Sequence, residues 1–339
     1  MSKVYVGIDL HANNSFVGVI NQENQRVFGK RLPNDLKVIL AALDPFKENL
    51  AGVVVESTYN WYWLVDGLQE QGFRVHLANP AAIQQYKGLK HTDDQSDAFW
   101  LAQLLHLNIL PEGYIYPKEQ RPVRDLLRRR LLLVRQRTAH ILSLESMLAR
   151  NLGLQLGGSK IKSLTETDLE QKLAHPCLLM AAKSSRALIH YLTENIRLIE
   201  KEVKQRVKLM KSFEALLSIP GIGDVLGVTI MLEVGDIGRF PQVGNYSSYC
   251  RCVKSERISN GKKKSENNRK NGNKYLAWAY VEAANFGRRF CPGAQRFYQR
   301  KLAKTNSVVA IKALANKIAR ASYFLMRDQV PFDEAKLFR

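Results

Sequence analysis

Long hydrophobic runs are missing from this 339-residue sequence. Its longest apolar stretches, such as LIHYL and SVVAIKALA, are interrupted well before the ~20 residues that a membrane-spanning helix requires. The opening MSKVYVGIDLH also lacks the charged start, apolar centre and small-residue cleavage site of a signal peptide. We therefore expect no membrane partner and, by default, a cytoplasmic protein.

Cysteine is scarce as well. Four cysteines (Cys177, Cys250, Cys252 and Cys291) do not make a disulfide framework in a chain of this length. Cys250 and Cys252 form a C-x-C, but no second Cys or His pair at zinc-ligand spacing accompanies them. We interpret all four as packing residues.

Acidic residues are outnumbered, with 31 Asp and Glu against 51 Lys and Arg, which gives a net charge of +20. A surface of this charge attracts polyanions, and nucleic acid is the natural partner. Residues 1–110 hold 9 of the basic and 11 of the acidic side chains, which leaves 42 basic against 20 acidic for residues 111–339. We expect the main electrostatic contact with nucleic acid to lie in the C-terminal two thirds.

The first third of the sequence alternates between strand and helix patterns. Three β-rich runs predict an antiparallel meander, followed by a helix over 36–47, a buried strand, a helix closed by Gly72 and a last strand stopped by Pro80. The runs are VYVGIDL, SFVGVI, RVFGKRL, LAGVVVES, WYWLVDGLQEQ and FRVHLANP. This order predicts an α/β fold with a mixed sheet in the ribonuclease-H-like arrangement.

The remainder is mainly helical in pattern. After a helix over 92–107, two long amphipathic helices over 119–151 and 184–213, joined by a Gly-rich turn, predict a coiled-coil or dimerisation arm. The predicted domains are a catalytic domain over 1–117, a helical oligomerisation segment over 118–213 and a mainly helical C-terminal domain over 214–339.

Two features of the C-terminal domain point towards phosphates. The sequence SIPGIG resembles a helix-hairpin-helix turn, in which Gly221 and Gly223 would let backbone N–H groups approach a phosphate, although close packing explains such glycines equally well. Residues 249–274 lose all apolar periodicity and predict a long polar loop. Its cations are expected to contact phosphates with little sequence preference: Lys262, Lys263, Lys264, Arg269, Lys270 and Lys274.

Four carboxylates form the strongest chemical constellation. Asp9 ends the first strand in GID, Glu56 ends a buried strand in VVVE, and Asp94 and Asp97 share one face of a helix. Asp93 and Asp97 would share a face nearly as well, so the choice between Asp93 and Asp94 stays open. Phosphodiester chemistry is served by a pair of Mg²⁺ ions, which prefer carboxylate ligands. The constellation predicts such a site, with Mn²⁺ as the alternative ion.

Several motifs in sequence order carry a family resemblance. They are GID, VVVEST, Asn79-Pro80, the D-x-x-D-A of residues 94–98, SIPGIG, and a late S-x-G followed by R-K-x-G-N-x-x-L. The chain resembles, over essentially its whole length, the one-ten family of insertion-sequence transposases, which includes the Piv-type site-specific invertases. Asn260 departs from that pattern, since glycine is common there.

The resemblance implies a prokaryotic, nucleoid-associated DNA recombinase. It implies a RuvC-like domain with metal ligands Asp9, Glu56, Asp94 and Asp97, a coiled coil, and a C-terminal domain that supplies Ser259 as nucleophile. It also implies donor and target DNA as substrates, a non-coding bridge RNA as guide, and a dimer or tetramer in which the acids of one subunit meet the serine of another.

The residues alone leave other functions open. A nuclease or junction resolvase would use water at the same acids, and a non-catalytic nucleic-acid-binding protein would need none of them. Ser255, Ser259 and Ser265 all lie in the polar loop, and a serine hydroxyl is a poor nucleophile until it is activated. The choice of Ser259, and of a transposase or invertase over a nuclease, therefore rests on the resemblance.

Overall fold

A computed structural model describes residues 2–83, 94–207, 211–253, 256–266 and 271–338. Asp93, Ser255, Arg269 and Lys270 lie outside the described residues. The chain divides into two compact units, Met1–Lys118 and Glu119–Arg339. Within the described residues, no helix is long and apolar enough to cross a membrane.

A five-stranded mixed sheet forms the centre of the first unit, in the order β3-β2-β1-β4-β5. The strands are β1 (Val4–Leu10), β2 (Asn14–Asn21), β3 (Arg26–Pro33), β4 (Leu50–Glu56) and β5 (Val75–Ala78). The predicted antiparallel meander is confirmed, and β4 and β5 continue the sheet with parallel pairing. The predicted α/β fold with a mixed sheet is therefore confirmed, and it fits the ribonuclease-H-like arrangement.

Four helices accompany the sheet in the described part of this unit. They are α1 (Leu36–Leu43), α2 (Tyr62–Glu70), α3 (Pro80–Ile83) and α4 (Asp94–His106). The prediction of one helix to residue 47 was wrong, because α1 ends at Leu43 and a 3₁₀ helix follows over Asp44–Asn49. Pro45 lacks the N–H that a continuing α-helix would use, and its ring would clash with the preceding turn.

Three glycines lie side by side under α4. Gly7 of β1 pairs with Gly18 of β2, which pairs with Gly29 of β3. A Cβ atom at Gly7 would lie 1.9 Å from the Ala98 carbonyl oxygen, and one at Gly18 or Gly29 would lie 2.9 Å from the Phe99 ring. The missing side chains let α4 pack directly on the sheet, where Ala98 and Phe99 are buried. We call Gly7, Gly18 and Gly29 the glycine row.

Two long helices begin the second unit. They are α5 (Arg121–Leu152) and α8 (Pro176–Val207), of 32 residues each. Arg130 of α5 binds Glu200 of α8, and Arg137, later in α5, donates to Thr193, earlier in α8. The two helices are therefore antiparallel. The long-helix prediction is confirmed, although α8 starts before the predicted Ser184.

The prediction of a plain turn between these helices was wrong. The connection contains α6 (Gly158–Ser163) and α7 (Glu166–Lys172), and Thr165 and Asp168 form a capping box at the start of α7. Ile161 and Leu169 are buried together with Leu144 and Leu148 of α5. Burial of these apolar side chains against the long helices offsets the weak helix tendency of a Gly-rich segment.

The rest of the second unit is a helical domain with one small hairpin of strands. Its helices are α9 (Lys211–Leu217), α10 (Asp224–Val234), α11 (Val243–Tyr249), α12 (Lys274–Phe290), α13 (Pro292–Leu302), α14 (Ser307–Asp328) and α15 (Glu334–Leu337), and its strands are β6 (Glu256–Ser259) and β7 (Lys262–Glu266). The buried Tyr246 and Tyr280 are hydrogen-bonded in the centre of the core. The polar segment that we predicted as an irregular loop therefore contains an antiparallel hairpin.

Replacing Gly7 by alanine is expected to lower the free energy of unfolding by about 1–3 kcal/mol, because the new Cβ must push α4 away from the sheet. Strand propensity alone would predict a higher free energy of unfolding for alanine than for glycine. A decrease would therefore show that close packing against α4 dominates. Chemical unfolding of the intact protein measures it. Gly113→Ala is the matched control, since its Cβ would lie 3.5 Å from the Leu77 carbonyl oxygen, an ordinary contact. Equal stability of both variants would show that α4 does not need the bare glycine surface.

Candidate active site

Asp9 and Glu56 meet at one edge of the sheet in the first unit. Strands β1 and β4 are parallel neighbours, so their carboxyl ends lie at the same edge. Asp9 is only 3% exposed, and its side chain is hydrogen-bonded with that of Glu56. Two carboxyl groups in contact repel each other unless a proton or a cation lies between them. A cation bound between the two groups would relieve this repulsion.

Helix α4 brings two further carboxylates to this edge. Asp94 and Asp97 lie in its first turn, and both are close enough to Asp9 to raise the pKa of its carboxyl group. We call Asp9, Glu56, Asp94 and Asp97 the acidic cluster. The four acids selected from the sequence are thus brought together, whereas Asp93 lies outside the described residues.

His11 stands among these acids, and sequence reasoning missed it. Its Nε2 atom lies 3.1 Å from Asp9 Oδ2 and 3.3 Å from Asp94 Oδ1. Asp9, His11 and Asp94 each offer a ligand atom within 4.8 Å of the others. The D-x-H spacing was an available signal, because side chains two apart on an extended chain point to the same side.

Arg31 is the second residue that the sequence did not reveal. Its guanidinium group donates to Asp94 Oδ2 at 2.6 Å and to Asn14 Oδ1 at 2.7 Å. It projects from β3, and only the pairing of β3 with β2 brings it near α4. No local pattern around Arg31 marks it, so tertiary structure was needed to find it.

The electrostatics of the two central aspartates differ. Burial raises the pKa of Asp9, an effect that Asp97 and Asp94 reinforce and that His11 and the hydrogen bond with Glu56 oppose. The hydrogen bond from Arg31, aided by His11, lowers the pKa of the more exposed Asp94. Ionised Asp9 is therefore costly in the metal-free protein, and a bound cation would relieve that cost.

The residues at this edge fit a divalent cation. The buried Asp9 Oδ2 atom accepts no hydrogen bond from the described residues, although it lies near His11. Carboxylate oxygens suit Mg²⁺ and Mn²⁺, whereas imidazole is a more usual ligand of transition metals. The acidic cluster would supply oxygen ligands to such an ion, and His11 lies close enough either to join them or to hydrogen-bond with them.

Ser259 lies in the second unit, at the tip of the β6–β7 hairpin. It pairs with Lys262 across the hairpin, and Asn260 and Gly261 between them have φ angles of 51° and 67°. Positive φ at both central residues is the signature of a type I′ turn, for which Asn-Gly is the preferred sequence. The side chain of Ser259 is exposed at the last position before this turn. The Asn-Gly pair was the overlooked signal for the hairpin.

Hydrogen bonds close the base of the segment that carries this hairpin. Asn273 donates its backbone N–H to the Tyr249 carbonyl, and the Arg251 guanidinium group donates to the Gly272 carbonyl. The Asn273 side chain also caps α12 by accepting from the N–H groups of Tyr275 and Leu276. The two ends of the segment are thus held together where it leaves α11 and enters α12.

An ion pair between a half-buried arginine and a buried glutamate fixes Asn273 in turn. Glu233 of α10 is 2% exposed and accepts from Asn273 Nδ2 at 2.7 Å. Arg128 of α5 donates to both Glu233 oxygens at 2.6 and 2.8 Å. A buried carboxylate needs such partners, and removing the charged one typically costs several kcal/mol. Neither Glu233 nor Arg128 was selected from the sequence, because each lies in an otherwise ordinary amphipathic or apolar helix.

The predicted phosphate-binding residues differ in exposure and in packing. Lys262, Lys263, Lys264 and Lys274 have exposed side chains. Gly221 has a φ of 97°, and a Cβ there would lie 2.4 Å from the Gly287 nitrogen of α12. Close packing therefore accounts for Gly221. Gly223 caps α10 with open space around it, so phosphate contact at this position stays a prediction.

Two parts of the chain match family models of transposases. Residues 6–151 match the family model of IS110-type DEDD transposases, and residues 213–299 match the transposase model of the IS116/IS110/IS902 family. The transposase for insertion sequence element IS1328 of Yersinia enterocolitica is 23% identical over 337 residues, which cover 97% of this chain and 98% of that protein. The first match spans the acidic cluster, and the second spans the serine hairpin.

Asp9→Asn should remove the thermal stabilisation that Mn²⁺ gives to the protein, because it deletes the buried ligand. In EDTA, the variant should unfold at the same or a higher temperature than the parent, since the neutral amide avoids the cost of a buried charge. Thermal unfolding with and without the metal measures both effects. Asp44→Asn, at an exposed 3₁₀ position, should behave like the parent. An undiminished metal response of Asp9→Asn would exclude Asp9 as a ligand.

Asn273→Ala should loosen the hairpin segment, because it removes the α12 cap and one partner of Glu233. Amide hydrogen exchange over residues 256–266 should become faster, and stability should fall by about 1–2 kcal/mol. Asn306→Ala is the matched control, since Asn306 caps α14 by accepting from Val309 N–H. This control should lower the free energy of unfolding by a similar amount, whereas amide hydrogen exchange in the hairpin should not change. Faster exchange there in both variants would contradict a specific role for Asn273.

Proposed function

This chain belongs to the IS110 family of transposases, and we propose that it transfers DNA strands through a covalent intermediate on Ser259. The acidic cluster would hold the divalent metal ions that this chemistry needs. The observation that carries the proposal is the buried contact between Asp9 and Glu56, joined by Asp94 and Asp97 at one edge of the sheet. Four acids this close to one another could bind the metal ions that phosphodiester transfer requires.

The acidic cluster would hold a pair of Mg²⁺ ions, or of Mn²⁺ ions in their place. Bound there, the metal neutralises charge on the phosphate and activates the attacking oxygen. Arg31 orients Asp94 through its 2.6 Å hydrogen bond. Asp9 is held by strand β1 and Glu56 by strand β4, so the central ligands are fixed by the sheet and do not depend on a loop.

The chemical step conserves the number of phosphodiester bonds. The Ser259 oxygen attacks phosphorus, a phosphoserine bond forms, and the bond to one deoxyribose oxygen breaks. The proton lost by the serine hydroxyl replaces that bond on the leaving deoxyribose oxygen. Attack by the deoxyribose hydroxyl of another strand then reverses the step, joins the two DNA strands and releases Ser259. No external energy source is required, because each bond broken is replaced by a similar one.

The hairpin geometry supports Ser259 in this role. A type I′ turn is rigid and projects the residue before it to the tip of the hairpin. Lys262, its cross-strand partner, and Lys263 and Lys264 place positive charge beside the serine, where a phosphate would approach. These contacts would add affinity without sequence preference.

Sequence choice must then come from another source, and we include a guide RNA in the proposal. Base pairing can read a DNA sequence while the protein holds the nucleic-acid backbone. A discrete RNA should co-purify with the protein when it is expressed with its native flanking DNA. Recombination by protein that retains no RNA would exclude the guide.

A homo-oligomer is proposed as the working form, with the antiparallel α5–α8 pair as the oligomerisation arm. Mixing Asp9→Asn with Ser259→Ala would reveal whether the two groups act in different subunits. Activity recovered only in the mixture would support action between subunits.

Two alternatives use the same acidic cluster. A metal-dependent nuclease or junction resolvase would cleave with water, and an invertase would perform the same strand exchange on sites within one DNA molecule. The nuclease is distinguished by its independence of Ser259.

Ser259→Ala should abolish covalent protein–DNA adducts, because no oxygen remains at the hairpin tip to attack phosphorus. Denaturing electrophoresis of labelled DNA incubated with protein and Mn²⁺ detects the adduct. Ser265→Ala, in the neighbouring strand β7, is the matched control and should retain it. Metal-dependent cleavage by Ser259→Ala without any adduct would favour the nuclease, and a persistent adduct would remove Ser259 from its role.

A further inference from the structure

A groove lies in the C-terminal part of the second unit, outside the serine hairpin. It encloses about 540 Å³, within the ~300–1,000 Å³ of typical ligand pockets. One face of α13 forms most of its wall, and Phe338, just after α15, forms the rest. The lining residues are Pro292, Gln295, Arg296, Gln299, Arg300 and Phe338. We call this feature the α13 groove.

The groove carries uncompensated positive charge. Arg296 and Arg300 are exposed, and neither forms an ion pair with a carboxylate in the described part of the chain. Lys317 of α14 lies 5.4 Å from the Phe297 ring centre and 5.8 Å from that of Phe338. Burial, together with the charges of Arg300 and Arg320, lowers the pKa of Lys317. The fold thus holds several cations together against their mutual repulsion.

The acids near the groove accept hydrogen bonds from backbone N–H groups. Glu334 accepts a 2.7 Å hydrogen bond from the Gly293 N–H at the start of α13. Asp333 caps α15 by accepting from the N–H groups of Ala335 and Lys336. Neither carboxylate forms an ion pair with Arg296 or Arg300 in the described part of the chain, so both guanidinium groups remain available to an external anion.

We propose that the α13 groove binds the phosphodiester backbone of a nucleic acid. Two arginines one helical turn apart can contact successive phosphates, since a guanidinium group donates two parallel hydrogen bonds to a phosphate. Gln295 and Gln299 on the same face add neutral donors, and Phe338 offers an aromatic wall for a sugar or base. A second copy of this chain is a poorer occupant, because a two-fold contact would place the same cations opposite each other.

The choice of a nucleic acid as the polyanion rests on the proposed function, but the site does not depend on strand transfer. Both DNA and RNA present this backbone. The test therefore uses a labelled DNA duplex, a DNA single strand and a structured RNA hairpin, each measured separately. It is performed in EDTA on a Ser259→Ala background, so that neither metal nor the serine contributes.

The test compares Arg296→Gln/Arg300→Gln with the control Lys160→Gln/Lys162→Gln. The control removes the same charge from exposed positions on α6, in a separate hydrophobic cluster. Fluorescence anisotropy gives Kd between about 50 and 200 mM salt. Loss of two phosphate contacts should weaken binding about tenfold and reduce the slope of log Kd against log salt by roughly 1 per contact.

The probe that loses affinity identifies whether DNA or RNA occupies the α13 groove. The melting temperature of the groove variant should equal or exceed that of the parent, because removing like charges relieves repulsion. Equal Kd and equal salt slope for both double variants on every probe would overturn the proposal. A change in oligomeric state without a change in Kd would also overturn it, and would assign the groove to contact between subunits.

Discussion

The close approach of α4 to the sheet is the constraint on which the acidic cluster depends. Two of the four carboxylates lie at the start of this helix, while the other two lie at the ends of β1 and β4. The distance between these pairs is set by how deeply α4 can settle on the sheet. The glycine row leaves bare backbone beneath it, and a Cβ at Gly7 alone would collide with the Ala98 carbonyl at 1.9 Å. The geometry of the acidic cluster is thus a consequence of close backbone packing.

The second unit positions Ser259 by a different means. Ser259 lies at the tip of a two-stranded hairpin, and an isolated hairpin is marginally stable in water. Its stability therefore depends on the base of the segment. There the buried Glu233 is held between Arg128 and Asn273, which connects the start of α12 to the core. A polar network that is fully satisfied specifies one arrangement, whereas an apolar contact would allow several.

The two units differ in net charge. The first unit is near neutrality, because it holds about as many acidic as basic side chains, and the excess of Lys and Arg lies in the second unit. Within that unit the positive charge occurs in at least two places, the exposed lysines of the hairpin and the arginines of the α13 groove. A protein that must hold nucleic acid while cutting it gains from contacts beyond the reacting phosphate, since these fix the strand without taking part in the chemistry.

Local signals in the sequence were enough for several parts of this protein. Alternating apolar residues and short turn sequences predicted all five strands of the first sheet, and the buried run before Glu56 marked that acid for function. The hairpin at Ser259 could also have been predicted, since Asn260-Gly261 is a strong local turn signal. By contrast, the short helices α6 and α7 form in a Gly-rich segment because their apolar side chains are buried against α5 and α8.

The sequence by itself determined the five strands of the first sheet, the two long helices, the four acids and the excess of positive charge, because these follow from residue type and near-neighbour spacing. Tertiary structure alone decided that Arg31 binds Asp94, 63 positions away, and that Glu233 holds Asn273, 40 positions away. It also decided that α13 and Phe338 enclose a cationic groove. Contacts of this kind depend on strand register and helix packing, which bring together residues that no local pattern connects.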